Sequence, residues 1–179
     1  GLETELALAY GSYVHLLLEK LSLSPQEDWP AVFATADAQP LLTPDMIAQG
    51  RAEALNVLRA PSLQSIFSVG TLAEVPITAD LEGNRIHGII DRLIVTPERI
   101  LAVDFKTNRI VPESSETCPE GLLRQLGAYA AALGQVYSDR AIETAILWTR
   151  PAELMVFPHD MVIAALERCQ YLDADDADT

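Results

Sequence analysis

Two aspartates and a lysine lie near the ends of two strongly apolar segments of this 179-residue chain. Asp91 lies in the segment 85–95, and Asp104 and Lys106 lie near the end of the segment 100–107. Burying such charges is costly unless another group pairs with them or binds them. Because strand side chains alternate between two faces, Asp104 and Lys106 share one face of the second segment.

A hairpin between the two segments would bring the aspartates together. If 96–99 is a four-residue loop, Val95 lies opposite Ile100, and counting back places Asp91 directly across from Asp104. Neighbouring strands are about 4.8 Å apart, so both carboxylates could bind one hard cation. The spacing therefore predicts a divalent-metal site with a lysine beside it.

A third acid extends this row across the predicted sheet. The pair 82–83 is Glu-Gly, a candidate two-residue turn that would place Leu81 opposite Asn84. The same counting puts Glu74 opposite Asp91. A slip of a single residue would turn one partner to the other face, so this prediction depends strictly on the register.

These residues suit the hydrolysis of a phosphodiester bond. Carboxylates hold Mg²⁺ or Mn²⁺, which neutralises a phosphate and makes a bound water acidic enough to attack. Lys106 could orient that water or stabilise charge on the phosphate. The alternative is an Asp–Lys pair at a strand end that is only solvated or salt-bridged. The apolar strand before Asp104, the facing Asp91 and the candidate Glu74 favour the catalytic interpretation.

Side chains on two predicted helices are further candidates. His15 follows Gly11 by four residues, so a close approach beside it is possible, and an imidazole ligand would favour Mn²⁺. A histidine with apolar neighbours is, however, more often packed or exposed. Gln125 and Tyr129 share a helical face and could contact a phosphate or support Lys106, whereas a buried Gln–Tyr hydrogen bond explains them equally well. Three arginines are candidate phosphate contacts, although lone arginines are usually surface residues. They are Arg92, Arg109 and Arg124.

Apolar spacing and chain breakers place these residues in an α/β fold. The predicted elements are helices at 2–23, 25–36 and 43–59, strands at 69–79, 85–95 and 100–107, a helix at 120–137, strands at 142–149 and 154–157, and a helix at 159–172. Strands that are apolar on both sides indicate a mixed sheet of about five strands covered on both faces. We expect one domain over 1–172, with a helical segment 1–67 and a core 68–172, and a disordered acidic tail at 173–179.

Composition limits the classes of function. Hydrophobic residues make up 49% of the chain, enough for a substantial core, and no apolar run is long enough to span a membrane. Cys118 and Cys169 have no metal-ligand spacing, so we expect free thiols in a reducing cytoplasm and no iron–sulfur cluster. A net charge of −14 argues against nonspecific nucleic-acid binding. Because the chain begins at Gly1 without methionine, we expect a piece of a longer protein, although a processed or tagged terminus would begin in the same way.

Five short motifs occur in order along the chain. They are Gly11-x-x-x-His15-x-x-Leu18-Glu19, Glu74-Val-Pro-Ile77, Gly88-Ile-Ile-Asp91-Arg-Leu93, Val103-Asp104-Phe105-Lys106-Thr107 and Gln125-Leu-x-x-Tyr129. Over about residues 5–172 the chain thus resembles the RecB-family nucleases of the PD-(D/E)XK superfamily, and most of all the C-terminal nuclease domain of AddA-type helicase–nuclease subunits. The resemblance implies a restriction-endonuclease-like sandwich. Ile90 stands where the superfamily pattern has proline, a common departure in this branch.

The resemblance also implies roles for individual residues. The implied roles are metal ligands for His15, Asp91 and Asp104, a catalytic lysine for Lys106, an accessory acid for Glu74, and a supporting helix motif for Gln125 and Tyr129. Relatives with a four-cysteine iron–sulfur staple are excluded, because this chain has two cysteines.

The implied activity is metal-dependent, exonucleolytic cleavage of single-stranded DNA during double-strand break repair and recombination. A helicase domain of the same parent chain would deliver the DNA, and an AddB-type subunit would be a partner. Tethering raises the effective concentration, so an acidic domain need not capture DNA by charge. The alternative is a catalytically silent module that guides DNA or docks the partner subunit. An unrelated domain acting on a small phosphoester is less favoured, because no glycine-rich phosphate loop is present.

Overall fold

Helices and strands follow the predicted order along the chain. The structure, a computed structural model, describes the backbone of residues 1–177 and the side chains of residues 1–169. The elements of that part are α1 (Leu2–Ser22), α2 (Trp29–Ala36), α3 (Pro44–Arg59), β1 (Leu72–Leu81), β2 (Asn84–Val95), β3 (Arg99–Lys106), α4 (Glu120–Val136), β4 (Ala141–Trp148), β5 (Glu153–Phe157) and α5 (His159–Ala177).

The helix ends follow local chemistry. The hydroxyl of Thr43 accepts a hydrogen bond from the backbone N–H of Met46 at 3.2 Å, so Thr43 caps α3 and Pro44 occupies its first position. A short 3₁₀ turn at Gln26–Asp28 precedes α2, where a continuous helix from residue 25 was predicted. The last helix extends to Ala177 instead of residue 172.

The five strands form one sheet in the order β1-β2-β3-β4-β5. Strands β1, β2 and β3 pair antiparallel. The N–H of Ala141 donates to the backbone carbonyl of Glu98 at 3.3 Å, and the N–H of Thr149 donates to the backbone carbonyl of Lys106 at 3.0 Å. Strand β4 therefore runs in the same direction as β3. The predicted α/β fold, with a mixed five-stranded sheet flanked by helices, is therefore confirmed.

Two turns set the strand register as the sequence predicted. Glu82 and Gly83 have positive φ angles of 49° and 83°, as a two-residue hairpin turn requires. Leu81 consequently pairs with Asn84. At the second hairpin, Val95 pairs with Ile100.

The chain divides into two compact units. The first unit comprises 1–69, 105–109 and 147–154, and the second comprises 70–104, 110–146 and the chain from 155 onward. The tail predicted at 173–179 lies beyond the described side chains, and residues 178–179 lie outside the described chain altogether, so its disorder stays a prediction. Along the described chain, no helix is long and apolar enough to cross a membrane.

Small residues on α4 allow close packing within the second unit. Ala132 packs with Ala79 and Leu81 of β1, so this face of α4 lies on the sheet. Gly127 instead contacts α5, because a Cβ atom at this position would lie 2.2 Å from the carbonyl oxygen of Val162. Helix α4 is therefore held between the sheet and α5.

Candidate active site

The two aspartates lie on adjacent central strands of the second unit. Asp91 is 8% exposed on β2 and Asp104 is 4% exposed on β3. Arg92 pairs with Val103, and the same register continued by one residue brings Asp91 opposite Asp104. Directly opposed side chains have Cβ atoms about 5 Å apart. Two buried carboxylates at that separation repel each other unless a cation or a proton offsets their charge.

Glu74 lies level with this pair. Its neighbours Ala73 and Val75 pair with Arg92 and Ile90, which fixes Glu74 opposite Asp91 in register. Glu74 has a φ angle of 51°, an uncommon conformation for a residue other than glycine. Its side chain therefore leaves the regular alternation of β1. A role for Glu74 at a metal stays a prediction.

The donor set suits a hard divalent cation. Mg²⁺ is usually held by one or two carboxylates, while water and substrate phosphates complete its coordination. Asp91 and Asp104 supply two such carboxylates on one face of the sheet. Among the described residues, no three side chains of histidine, cysteine, aspartate or glutamate lie close enough together to hold a metal ion. The chemistry of the pair fits Mg²⁺, and metal binding by Asp91 and Asp104 stays a prediction.

Tyr129 joins α4 to β2 beside these carboxylates. Its phenol donates to the carbonyl of Ile89 at 3.1 Å and accepts from the side-chain amide of Gln125 at 3.0 Å. The hydrogen bond between Gln125 and Tyr129, which the sequence offered as the alternative to phosphate contact, is therefore present. Burial first, and then the negative charge of Asp104, raise the pKa of Tyr129 to about 12, with a smaller contribution from Asp91. The phenol stays neutral and can donate at any physiological pH.

Replacing Tyr129 with phenylalanine is expected to destabilise the protein by about 1–2 kcal/mol, because Ile89 and Gln125 each lose a partner. Folding raises the phenol pKa from 10.0, so the stability that it contributes is complete below pH 10 and is lost as the pH rises through about 12. Absorbance titrations of wild type and of Y129F should be subtracted from each other, and the difference should show one phenol that ionises near pH 12. A difference curve centred near pH 10 would contradict this assignment.

In the first unit, α1 lies against the end of β3. The His15 ring contacts the Phe105 ring edge-on, with centroids 5.7 Å apart. A Cβ atom at Gly11 would lie 3.1 Å from the hydroxyl oxygen of Thr107, so a side chain approaches this glycine closely. Lys106, the last residue of β3, is half-buried. Metal binding by His15 and catalysis by Lys106 stay predictions.

The candidate arginines differ in their access to solvent. Arg92 is 2% exposed, and by strand alternation it projects from the face of β2 opposite Asp91. Arg109 is exposed and Arg124 is half-buried. Arg109 is therefore better placed than Arg92 for a phosphate contact.

Two buried polar residues were not singled out in the sequence. Glu53 is 7% exposed on α3, and Thr149 is fully buried directly after β4. They are hydrogen-bonded to each other although 96 residues separate them. No local pattern could have signalled this contact, because Glu53 lies in an ordinary helical stretch between two alanines.

Comparison with known proteins identifies the family. No curated protein is significantly similar in sequence to this chain. Among solved structures, the chain is similar to SSO0001, known from a crystal structure, with 16% identity over 70% of this chain and 67% of that one, at a TM-score of 0.35. That likeness is too loose to support an assignment. The model of the PD-(D/E)XK nuclease superfamily matches residues 1–171, so this chain belongs to that superfamily of metal-dependent nucleases.

Proposed function

We propose that this chain is a Mg²⁺- or Mn²⁺-dependent nuclease that hydrolyses phosphodiester bonds of DNA. The proposal is carried by two buried aspartates, Asp91 and Asp104, on adjacent strands whose register, continued by one residue from the pairing of Arg92 with Val103, sets them opposite each other. Lys106 follows two residues later on the same strand. Membership of the superfamily supports the same reaction class.

Each side chain has a distinct part in this reaction. Asp91 and Asp104 would hold the cation, with His15 as a further ligand from the motif match. A bound cation would supply neutralisation of the phosphate charge and activation of the attacking water. Lys106 would place its ammonium group beside the scissile phosphate and stabilise the charge that develops there. Tyr129, a neutral phenol, would keep α4 docked beside the two carboxylates.

The substrate in this proposal is single-stranded DNA, cut from an end after delivery by an attached helicase. The net charge of −14 supports delivery, because such a surface repels phosphates. The motif order resembles AddA-type subunits, which suggests the helicase domain of a parent chain and an AddB-type subunit as partners. The setting would be double-strand break repair in the cytoplasm.

A silent module that guides DNA is the second candidate. The observation that favours it is the lack, among the described side chains, of any cluster of three potential metal ligands. A silent module would bind DNA without cutting it and would be indifferent to changes at the catalytic positions. Cleavage therefore separates the two candidates.

Replacing Lys106 with methionine is expected to lower the rate of DNA cleavage by about 10²- to 10³-fold, because it removes a charge aimed at the phosphate. The matched control is Lys20→Met, which changes the only other lysine of the chain. Lys20 is half-exposed at the end of α1 and pairs only loosely with Glu19, at 3.7 Å. This control should cut at the wild-type rate.

The assay compares linear and circular single-stranded DNA and duplex DNA, each with Mg²⁺ and with Mn²⁺. Cutting of linear single strands with circles left intact supports the proposed exonuclease. Cutting of circles would retain the nuclease and overturn the requirement for an end. No cutting of any substrate would favour the silent module. Cutting by K106M at the wild-type rate would keep the nuclease and remove Lys106 from its reaction.

A further inference from the structure

Glu53 is a buried carboxylate that the proposed reaction does not use. It lies on α3 of the first unit and is 7% exposed. An ionised carboxylate loses favourable hydration on burial, and this cost is offset only where hydrogen bonds or an opposite charge replace the water. A leucine of similar volume would pack at this position without that cost. The polar side chain therefore needs an explanation in its contacts.

Both oxygens of Glu53 accept hydrogen bonds from hydroxyl groups. The Tyr10 phenol donates to Oε1 at 3.0 Å, and the Thr149 hydroxyl donates to Oε2 at 2.7 Å. Burial, and then the negative charge of Glu53, raise the pKa of the Tyr10 phenol, so it remains a donor. The carboxylate thus joins α1, α3 and the chain that follows β4.

Thr149 continues the connection to the backbone of Lys106. Its N–H donates to the Lys106 carbonyl at 3.0 Å, and its hydroxyl lies 3.1 Å from the same oxygen. Beside it, the Arg150 Nε–H donates to the carbonyl of Thr107 at 3.1 Å. These contacts lie where β3 ends and tie its last residue to the chain that follows β4. Two successive hydrogen bonds, both made by Thr149, therefore link the Glu53 carboxylate to the backbone of Lys106.

We propose that Glu53 is a positioning residue for Lys106, acting through Thr149 on the end of β3. The proposal rests on the proposed function, because it takes Lys106 as the catalytic lysine. Rate depends steeply on the placement of catalytic groups, and a displacement of about 1 Å can cost on the order of 100-fold. A carboxylate that locks the Thr149 side chain reduces the freedom of the Lys106 backbone and hence of its ammonium group.

Replacing Glu53 with leucine is expected to lower kcat for DNA cleavage by about 10- to 100-fold with KM nearly unchanged. Thr149→Val keeps the N–H but removes the linking hydroxyl, and it should have a similar effect. Glu53→Gln should restore kcat to within about threefold, because an amide can accept from Tyr10 and donate to Thr149, whose hydroxyl then donates to Lys106. Tyr10→Phe, which removes only the bond on the far oxygen, is the matched control and should retain kcat.

A double-mutant cycle separates positioning from general damage. In a Lys106→Met background, Glu53→Leu should cause no further loss, since the group that it positions is gone. An equal further loss in that background, or a normal kcat for Glu53→Leu alone, would overturn the positioning role and leave the nuclease intact. A normal rate for Lys106→Met alone would remove the role of Lys106 and the positioning role together, whereas the absence of cleavage by wild type would overturn the proposed function. Amide exchange at Thr149 that is unchanged in Glu53→Leu would also count against the positioning role.

Discussion

Replacing Asp104 with asparagine is expected to reduce DNA cleavage by at least about 1,000-fold while stabilising the metal-free protein. Activity should be lost because the variant has only one of the two carboxylates that would hold the metal ion. The gain in stability follows because Asp91 no longer faces a like charge. At an effective dielectric constant of about 20, two charges about 5 Å apart repel by roughly 3 kcal/mol, which is an upper limit for the gain.

The response to metal gives the same substitution a second readout. Mg²⁺ that binds only the folded protein raises the free energy of unfolding by about 2.7 kcal/mol at 100 times its dissociation constant. Wild type should therefore show a higher midpoint of thermal unfolding when Mg²⁺ is added. D104N, and equally D91N, should begin with a higher midpoint that Mg²⁺ no longer raises.

A surface aspartate provides the control for these measurements. The Asp139 side chain is 79% exposed, so Asp139→Asn should change neither cleavage nor the response to Mg²⁺. Two outcomes would contradict the site. One is a wild-type protein that Mg²⁺ and Mn²⁺ leave unchanged in stability, and the other is a D104N variant that responds to them as wild type does.

Local chemistry explains why much of the central sheet could be predicted. Glu82 and Gly83 suit a two-residue turn, and that turn alone fixes the pairing of Leu81 with Asn84. The second hairpin fixes Val95 opposite Ile100 in the same way. Since the side-chain period of a strand is two, these turns also decide which side chains share a face with Asp91.

Contacts between distant segments could not be predicted in this way. The hydrogen bond of Glu53 to Thr149 depends on how α3 meets the end of β4, and no property of either segment encodes that meeting. The positive φ angle of Glu74 likewise has no signal, since glutamate rarely adopts it. Burial of Arg92 depends on the elements packed against β2. The sequence thus predicts the alternation of side chains along strands and the positions of turns. Tertiary packing decides the Glu53–Thr149 bond, the Glu74 backbone angle and the burial of Arg92.

Two glycines of α4 are expected to respond in opposite directions to the same substitution. A Cβ atom at Gly127 would lie 2.2 Å from the Val162 carbonyl oxygen and 3.0 Å from the Leu166 Cβ. Backbone atoms cannot yield as a flexible side chain does, so Gly127→Ala must force α4 and α5 apart. We expect a loss of about 1–3 kcal/mol or more in the free energy of unfolding. A Cβ atom at Gly134 would meet no described atom within 4 Å, so Gly134→Ala should gain about 0.5–1 kcal/mol through helix propensity.

Displacement of α4 should also reach the candidate active site. Tyr129 lies two residues after Gly127 on the same helix, and its bond to the Ile89 carbonyl depends on where that helix lies. In Gly127→Ala the phenol should lose part of its burial, so its pKa should fall from about 12 towards 10.0. Chemical denaturation and absorbance titration of both variants would test these expectations together. Equal stabilities for the two variants would show that α4 and α5 can separate at no cost, and the close packing at Gly127 would then not hold the helix beside the carboxylates.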